Sequence, residues 1–165
     1  FQLLTQAAGR AGRGEMPGNV VIQTYDPENY AITTAKEQDY EKFYEQEIEY
    51  RQILFYPPVW NLLLILCSSP SHDDVTNCSE DIVKRLGEEI TREKRVQLVG
   101  PADASISKVN DFYRKVIYLK TRKYDTLVEL KNVVEKFNKK GFHLNLEEKD
   151  FENNYQVIIN IEKDK

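Results

Sequence analysis

At 165 residues, 41% of them hydrophobic and 30% charged, the chain suits one domain of ordinary size or a small domain with an appendage, and its composition is soluble and globular. Its longest apolar run, Val59 to Cys67, is broken by Asn61 and far too short to span a bilayer, and its N-terminus lacks the charged-then-apolar pattern of a secretion signal. The net charge of −4 argues mildly against a dedicated nucleic-acid binder, whose phosphate contacts usually make it basic.

Residues 1 to 8 read as the end of a helix broken by Gly9, Gly12 and Gly14. Pro17-Gly18 signals a turn, and the β-branched stretch Asn19 to Thr24 a strand. Asp26-Pro27-Glu28 then starts a helix, with Asp26 as N-cap and Pro27 at the first helical position. Helix, strand and helix in that order fit the closing part of an α/β nucleotidase lobe over residues 1–37. Residues 38–58 form a connector. Its helix, Gln38 to Phe55, places Tyr40, Phe43, Tyr44 and Ile48 in one stripe, read as a docking face, and glutamates on the other side. Tyr56-Pro57-Pro58 closes it, because two prolines cannot continue a helix.

Residues 59–165 read as a separate α+β domain. Val59 to Cys67 is nearly all apolar, as a central strand would be. Ser79 caps a helix whose buried stripe is Ile82, Val83, Leu86 and Ile90, and Cys78 falls in the polar loop before it. Arg95 to Val99 is a short strand stopped by Gly100-Pro101, and Phe112 to Thr121 is the next strand. Asp125 or Thr126 caps a second helix with Leu127, Leu130, Val134 and Phe137 inward, and Gly141 is its C′ glycine after Lys139-Lys140. Phe142-Leu144-Leu146 and Tyr155-Val157-Ile159-Ile161 alternate as an antiparallel pair joined through Asn153-Asn154. The order β-α-β-β-α-β makes an antiparallel or mixed sheet covered by two helices on one face, resembling the split βαβ class. The fold class of the whole chain is thus α/β passing to α+β.

Gln6-Ala7-Ala8-Gly9-Arg10-Ala11-Gly12-Arg13 has the form Q-x-x-G-R-x-G-R and resembles the last motif of superfamily 2 helicases. Arginine offers a planar, permanently charged fork for phosphate, and glycine permits close backbone approach. Read alone, G-R-x-G-R favours a mobile, basic, glycine-rich arm with no catalytic role. No G-x-x-x-x-G-K-[ST] loop occurs in the sequence, so these arginines have no phosphate cradle of their own and the fragment alone is expected to be inactive.

Further stretches extend the likeness: Pro17-Gly18, Val21 to Tyr25, Pro27-Glu28, Asp39-Tyr40, Phe43-Tyr44, Glu47, Arg51, Tyr56-Pro57-Pro58, Val99-Gly100-Pro101 and Tyr113-Arg114. Together they resemble primosomal protein N′, the family of PriA-type replication-restart helicases. The resemblance implies the C-terminal portion of an ATP-dependent 3′-to-5′ DNA helicase that restarts stalled forks and initiates primosome assembly. It implies ATP with Mg²⁺ in the whole protein, zinc in a cysteine insert elsewhere, and neither in this piece. It also implies a C-terminal domain like a small-ribosomal-subunit protein fold. The implied partners are forked or single-stranded DNA, single-stranded DNA-binding protein and other primosome proteins, with no membrane. Arg13 is then the finger to the γ-phosphate, Arg10 a second phosphate or interlobe contact, and Gln6 the coupling residue.

The sequence departs from the family pattern after Gly100-Pro101. One of the usual arginine positions is Lys108, others fall at Asn110 and Asp111, and only Arg114 stands; the usual aromatic after Pro-Pro is Val59. These changes weaken the expected DNA contact. Its candidates are Lys108, Arg114, Lys115, Lys120, Arg122 and Lys123 with Tyr113 as a stacking ring, since phosphate neutralisation plus stacking is how single strands are held. Strand residues that merely alternate between core and solvated cations would look the same. A contrasting reading is a non-catalytic interaction module without DNA contact, receiving an acidic tail at Tyr118, Arg122 and Tyr124. Trp60, His72 and His143 suggest no function, and Cys67 and Cys78 make neither a zinc site nor a disulfide framework, which fits a cytoplasmic protein.

Overall fold

The computed structural model describes residues 1–11, 19–90, 94–151 and 154–163, and divides into two units, Phe1–Ile53 and Leu54–Lys165.

The first unit is helical. Helix α1 spans Gln2–Arg10, α2 Tyr30–Glu37 and α3 Tyr40–Ile53. Gly9 lies inside α1 rather than ending it. Asn29 caps α2, its side-chain oxygen accepting from the Ala31 amide at 3.0 Å; Asp26, expected in that role, instead accepts from Asn29 Nδ2 at 3.2 Å. At the start of α3 the Asp39 carboxylate accepts from the Lys42 amide at 2.9 Å. The aromatic stripe of α3 does pack: Phe43 stacks on Phe1 with centroids 4.6 Å apart and on Tyr30 at 5.9 Å. The segment 19–24 is not a strand, and Val21 is 91% exposed. A β-branched run becomes a strand only where a neighbour takes its amides and carbonyls. The turn expected at Pro17-Gly18 lies outside the described residues.

The second unit is one mixed sheet with two helices. Its strands are β1 Asn61–Ser69, β2 Gln97–Val109, β3 Phe112–Thr121, β4 Phe142–Phe151 and β5 Asn154–Lys163, in the order β2-β3-β1-β5-β4. Helix α4, His72–Glu89, joins β1 to β2, and α5, Tyr124–Glu135, joins β3 to β4. β1 runs antiparallel to β3 and parallel to β5, and β2–β3 and β4–β5 are antiparallel pairs. β3 therefore separates β1 from β2, two parallel strands linked by α4, as a split βαβ unit requires. The element order is β-α-β-β-α-β-β: the last two strands are the expected antiparallel pair, for which the expected formula is one strand short.

Leu63, Ile65 and Cys67 of β1, Ile117 and Leu119 of β3 and Val157, Ile159 and Ile161 of β5 meet Val75, Ile82 and Leu86 of α4 and Leu127, Leu130 and Val134 of α5. This is the core, and it lies on one side of the sheet. Register puts Leu62, Leu64 and Leu66 opposite Lys120, Tyr118 and Val116 on the other side, away from α4 and α5.

Four boundaries differ from expectation. Helix α4 is capped not by Ser79 but by Ser71, eight residues earlier, whose hydroxyl accepts from the Asp74 amide at 3.2 Å. Ser79 and Cys78 are buried inside that helix, not in a cap and a loop. β2 does not stop at Gly100-Pro101 but runs on to Val109, with a register shift between Val99 and Ala102 that absorbs the missing proline amide. Gly141 leads into β4, five residues beyond the C-cap Lys136, so α5 ends without a C′ glycine.

Candidate nucleic-acid interface

Strand β3 carries three of the six candidate cations, Arg114, Lys115 and Lys120, and the other three flank its two ends. Tyr113 and Arg122 are nine residues apart, about 30 Å along an extended chain at about 3.3 Å per residue. They are two places, not one.

At the first end, the two-residue turn Asn110-Asp111 links β2 to β3, with φ of 48° and 64°. Both residues tolerate the left-handed region, as this tight hairpin demands. The turn sets Asp111 beside Lys108, Nζ to Oδ1 3.0 Å, and that hydrogen bond raises the lysine's pKa. Lys108 also stands 4.9 Å from the centre of the Tyr113 ring. Lys115 meets Asp103 at 3.0 Å, and Tyr113 packs against His72 with an edge-on ring contact at 5.4 Å. Arg114 joins His72, Asp103, Tyr113 and Lys115 around a small cavity of about 150 Å³. Of its two cations Lys115 already holds a carboxylate, that of Asp103, which lines the same cavity.

The other end is built differently. Lys120 is 8% exposed; its ammonium donates to the Leu54 carbonyl at 3.1 Å and sits 3.8 Å from the centre of the Tyr56 ring. It ties β3 to the chain just before the Pro57-Pro58 pair and is not offered to a ligand. Beyond it, Asn61 Nδ2 donates to the Thr121 and Arg122 carbonyls at 3.3 and 3.1 Å, fixing the exit of β3. Arg122 then lies 5.2 Å from the Trp60 ring centre, and Phe55 meets the indole edge-on at 4.6 Å. Trp60, Lys94, Arg95, Thr121, Arg122 and Lys123 line a cavity of about 360 Å³. Trp60, Lys94 and Arg95 were not among the candidates read from the sequence. The available signal was the position of Trp60, an aromatic residue two places after Pro57-Pro58.

The peptide candidates are not gathered into one pocket. Tyr118 stands opposite Leu64 on the side of the sheet away from the helices, whereas Tyr124 opens α5 on the helical side. In the first unit Gln6 and Arg10 are one turn apart on α1 and exposed, while Arg13 lies outside the described residues. Among the described residues no cluster of histidine, cysteine and carboxylate side chains could hold a metal ion, and no helix is long and apolar enough to cross a membrane. Burial pushes the Cys67 thiol up to about 12, and it raises Cys78 as well, which leaves both without nucleophilic thiolate at neutral pH.

Residues 52–159, from the last turn of α3 into β5, match the family described as the primosomal protein N C-terminal domain. The chain belongs to this family. Its relatives include the replication restart protein PriA of Bacillus subtilis, 36% identical over 84% of the chain, and that of Synechocystis, 41% identical over 73%. The Thermotoga maritima protein of the same name is 37% identical over 73%. The aligned stretches cover only 17%, 14% and 15% of those proteins. The match to the primosomal protein N C-terminal domain coincides with the sheet unit, which holds both ends of β3 and the Trp60 cavity.

Proposed function

We propose that the chain acts as the C-terminal part of an ATP-dependent 3′-to-5′ DNA helicase of replication restart, and that its sheet unit contacts single-stranded or forked DNA. The observation that carries this reading is the family match over the folded unit of residues 54–165, together with relatives named for replication restart. In the helical unit Arg13 supplies charge to the γ-phosphate, Arg10 a second phosphate or interlobe contact and Gln6 the coupling between them. ATP with Mg²⁺ is held by parts of the protein outside these residues, as is zinc, so the chain by itself binds rather than hydrolyses. Its place is the cytoplasm, with other primosome proteins.

A protein-binding role has one observation in its favour. Arg85 of α4 and Glu129, Asn132 and Val133 of α5, with Lys136, Phe137 and Asn138 beyond its end, line a cavity of about 640 Å³ that is apolar in part and carries both signs of charge, Arg85 itself holding Glu88 and Glu89 at 3.1 and 2.9 Å. An acidic tail ending in an aromatic residue, such as that of single-stranded DNA-binding protein, would set its ring on the apolar part and a carboxylate on Lys136. One experiment separates the readings: titrate the chain into a labelled oligonucleotide at several salt concentrations, with such an acidic peptide as competitor. DNA contact requires affinity that falls steeply with salt. Peptide binding with no oligonucleotide signal would leave only the interaction module.

A further inference from the structure

We propose that the cavity at the end of β3 seats one nucleotide of a single strand, its phosphate on Arg95, Arg122 and Lys123 and its base against Trp60. This rests on the reading that the sheet unit binds nucleic acid, and it names the place.

Four observations converge on it. The cavity, at about 360 Å³, falls within the roughly 300–1,000 Å³ of small-ligand pockets. Among the described residues its lining holds four cationic side chains, Lys94, Arg95, Arg122 and Lys123, and no carboxylate. Lys94 is already paired with Glu129 at 3.2 Å, but among the described residues Arg95, Arg122 and Lys123 have no acidic partner. Those three side chains belong to exposed residues. At the opposite end of β3, by contrast, Lys108 and Lys115 are neutralised by Asp111 and Asp103.

The second component is aromatic. The guanidinium of Arg122 lies 5.2 Å from the centre of the Trp60 indole, and aromatic rings and arginine planes are surfaces on which bases stack without sequence preference. A peptide that is acidic but carries no aromatic residue would use the cations and not that surface, so the pair favours a nucleotide over such a peptide.

The third is rigidity. Asn61 clamps the Thr121 and Arg122 carbonyls, and the Lys123 amide donates to Thr121 Oγ1 at 3.2 Å, so the cationic wall is held before any ligand arrives. Arg95 adopts φ 48°, a left-handed conformation uncommon for a long side chain and maintained only where its surroundings impose it. Finally, the wall runs into the start of α5, whose N-cap is Lys123 with no side-chain acceptor, so the positive end of that helix faces the same region.

Trp60 is the chain's single tryptophan, which makes the test direct. The full chain is titrated with a short oligothymidylate while tryptophan fluorescence and the anisotropy of a labelled copy are followed together. Both signals are expected to move with one midpoint, and an abasic strand of equal length to bind about tenfold more weakly without quenching. Arg95→Gln and Lys123→Gln should each weaken binding about tenfold and lower the salt slope by about 1, at unchanged melting temperature. Trp60→Phe keeps the packing on Phe55 and should retain most of the affinity, whereas Trp60→Ala loses it or fails to fold. An anisotropy change without quenching, and with Arg95→Gln and Lys123→Gln indistinguishable from the parent, would overturn the site while leaving DNA binding standing. No anisotropy change at all would remove DNA binding itself. Quenching by a polyglutamate peptide at equal affinity would turn the cavity into an acidic-peptide site.

Discussion

At the scale of single residues, Gly100 shows what composition conceals. In sequence Gly100-Pro101 reads as a stop, yet β2 passes straight through it. Its φ is +111°, and a Cβ built there would lie 2.7 Å from the Val116 carbonyl oxygen of the neighbouring strand. Only a residue without a side chain lets β2 come that close at the register shift. Gly100→Ala should therefore destabilise the 54–165 unit by at least about 2 kcal/mol, visible as a lower denaturant midpoint. A midpoint equal to the parent's would show that the strands separate without penalty. Ser71 and Asn110-Asp111 carry the opposite lesson. Their signals were present, a serine three residues before Asp74 and two residues tolerant of positive φ between two β-rich runs. Ser71 was obscured by the polar Ser68-to-Asp74 stretch, which has the composition of a loop although it starts an 18-residue helix.

At the scale of elements, α2 and α3 are joined by a charged relay as well as by rings. Tyr30 donates its hydroxyl to Glu47, and Arg51 Nε donates to the same carboxylate at 2.6 Å. The Glu47 bond, with burial, raises the Tyr30 phenol to about 12, and Tyr30 followed by Arg51 lowers Glu47. The signs give the pH window. The Tyr30 contribution is complete below the ordinary tyrosine value near 10 and is lost as pH rises through about 12. The Glu47 contribution is present above the ordinary carboxylate range and is lost as pH falls through its depressed value. Tyr30→Phe should cost the helical unit about 1 kcal/mol at pH 7 by circular-dichroism melting, a difference that fades between about pH 10 and 12. A difference independent of pH would mean that the bond contributes nothing. The helix itself was legible, because the i, i+3, i+4 spacing of Tyr40, Phe43 and Tyr44 survives any context. The 19–24 strand was not, since a strand's existence depends on a neighbour that local sequence does not contain.

At the scale of the whole molecule, the chain is a helical unit carrying Gln6 and Arg10 and a sheet unit matching the primosomal protein N C-terminal domain. Within the complete protein, Arg13→Ala should reduce ATP hydrolysis by about 10³-fold or more while DNA binding persists. Near-normal turnover in that variant would end its role as the finger. The sequence by itself determined the family, through motifs whose order and spacing persist from Gln6 to Arg114, and it determined the apolar faces of β1, β3, α5 and β5, because periodicity is a local property. It could list the basic residues of β3 but not sort them. Only the tertiary structure decided that Lys108 and Lys115 are spent on Asp111 and Asp103, that Lys120 is buried against Leu54 and Tyr56, and that Arg122 and Lys123 share a cavity with Trp60 and Arg95. The physical reason is that a cation's availability depends on which carboxylates, carbonyls and rings folding brings within a few ångströms of it, and those partners come from distant parts of the chain.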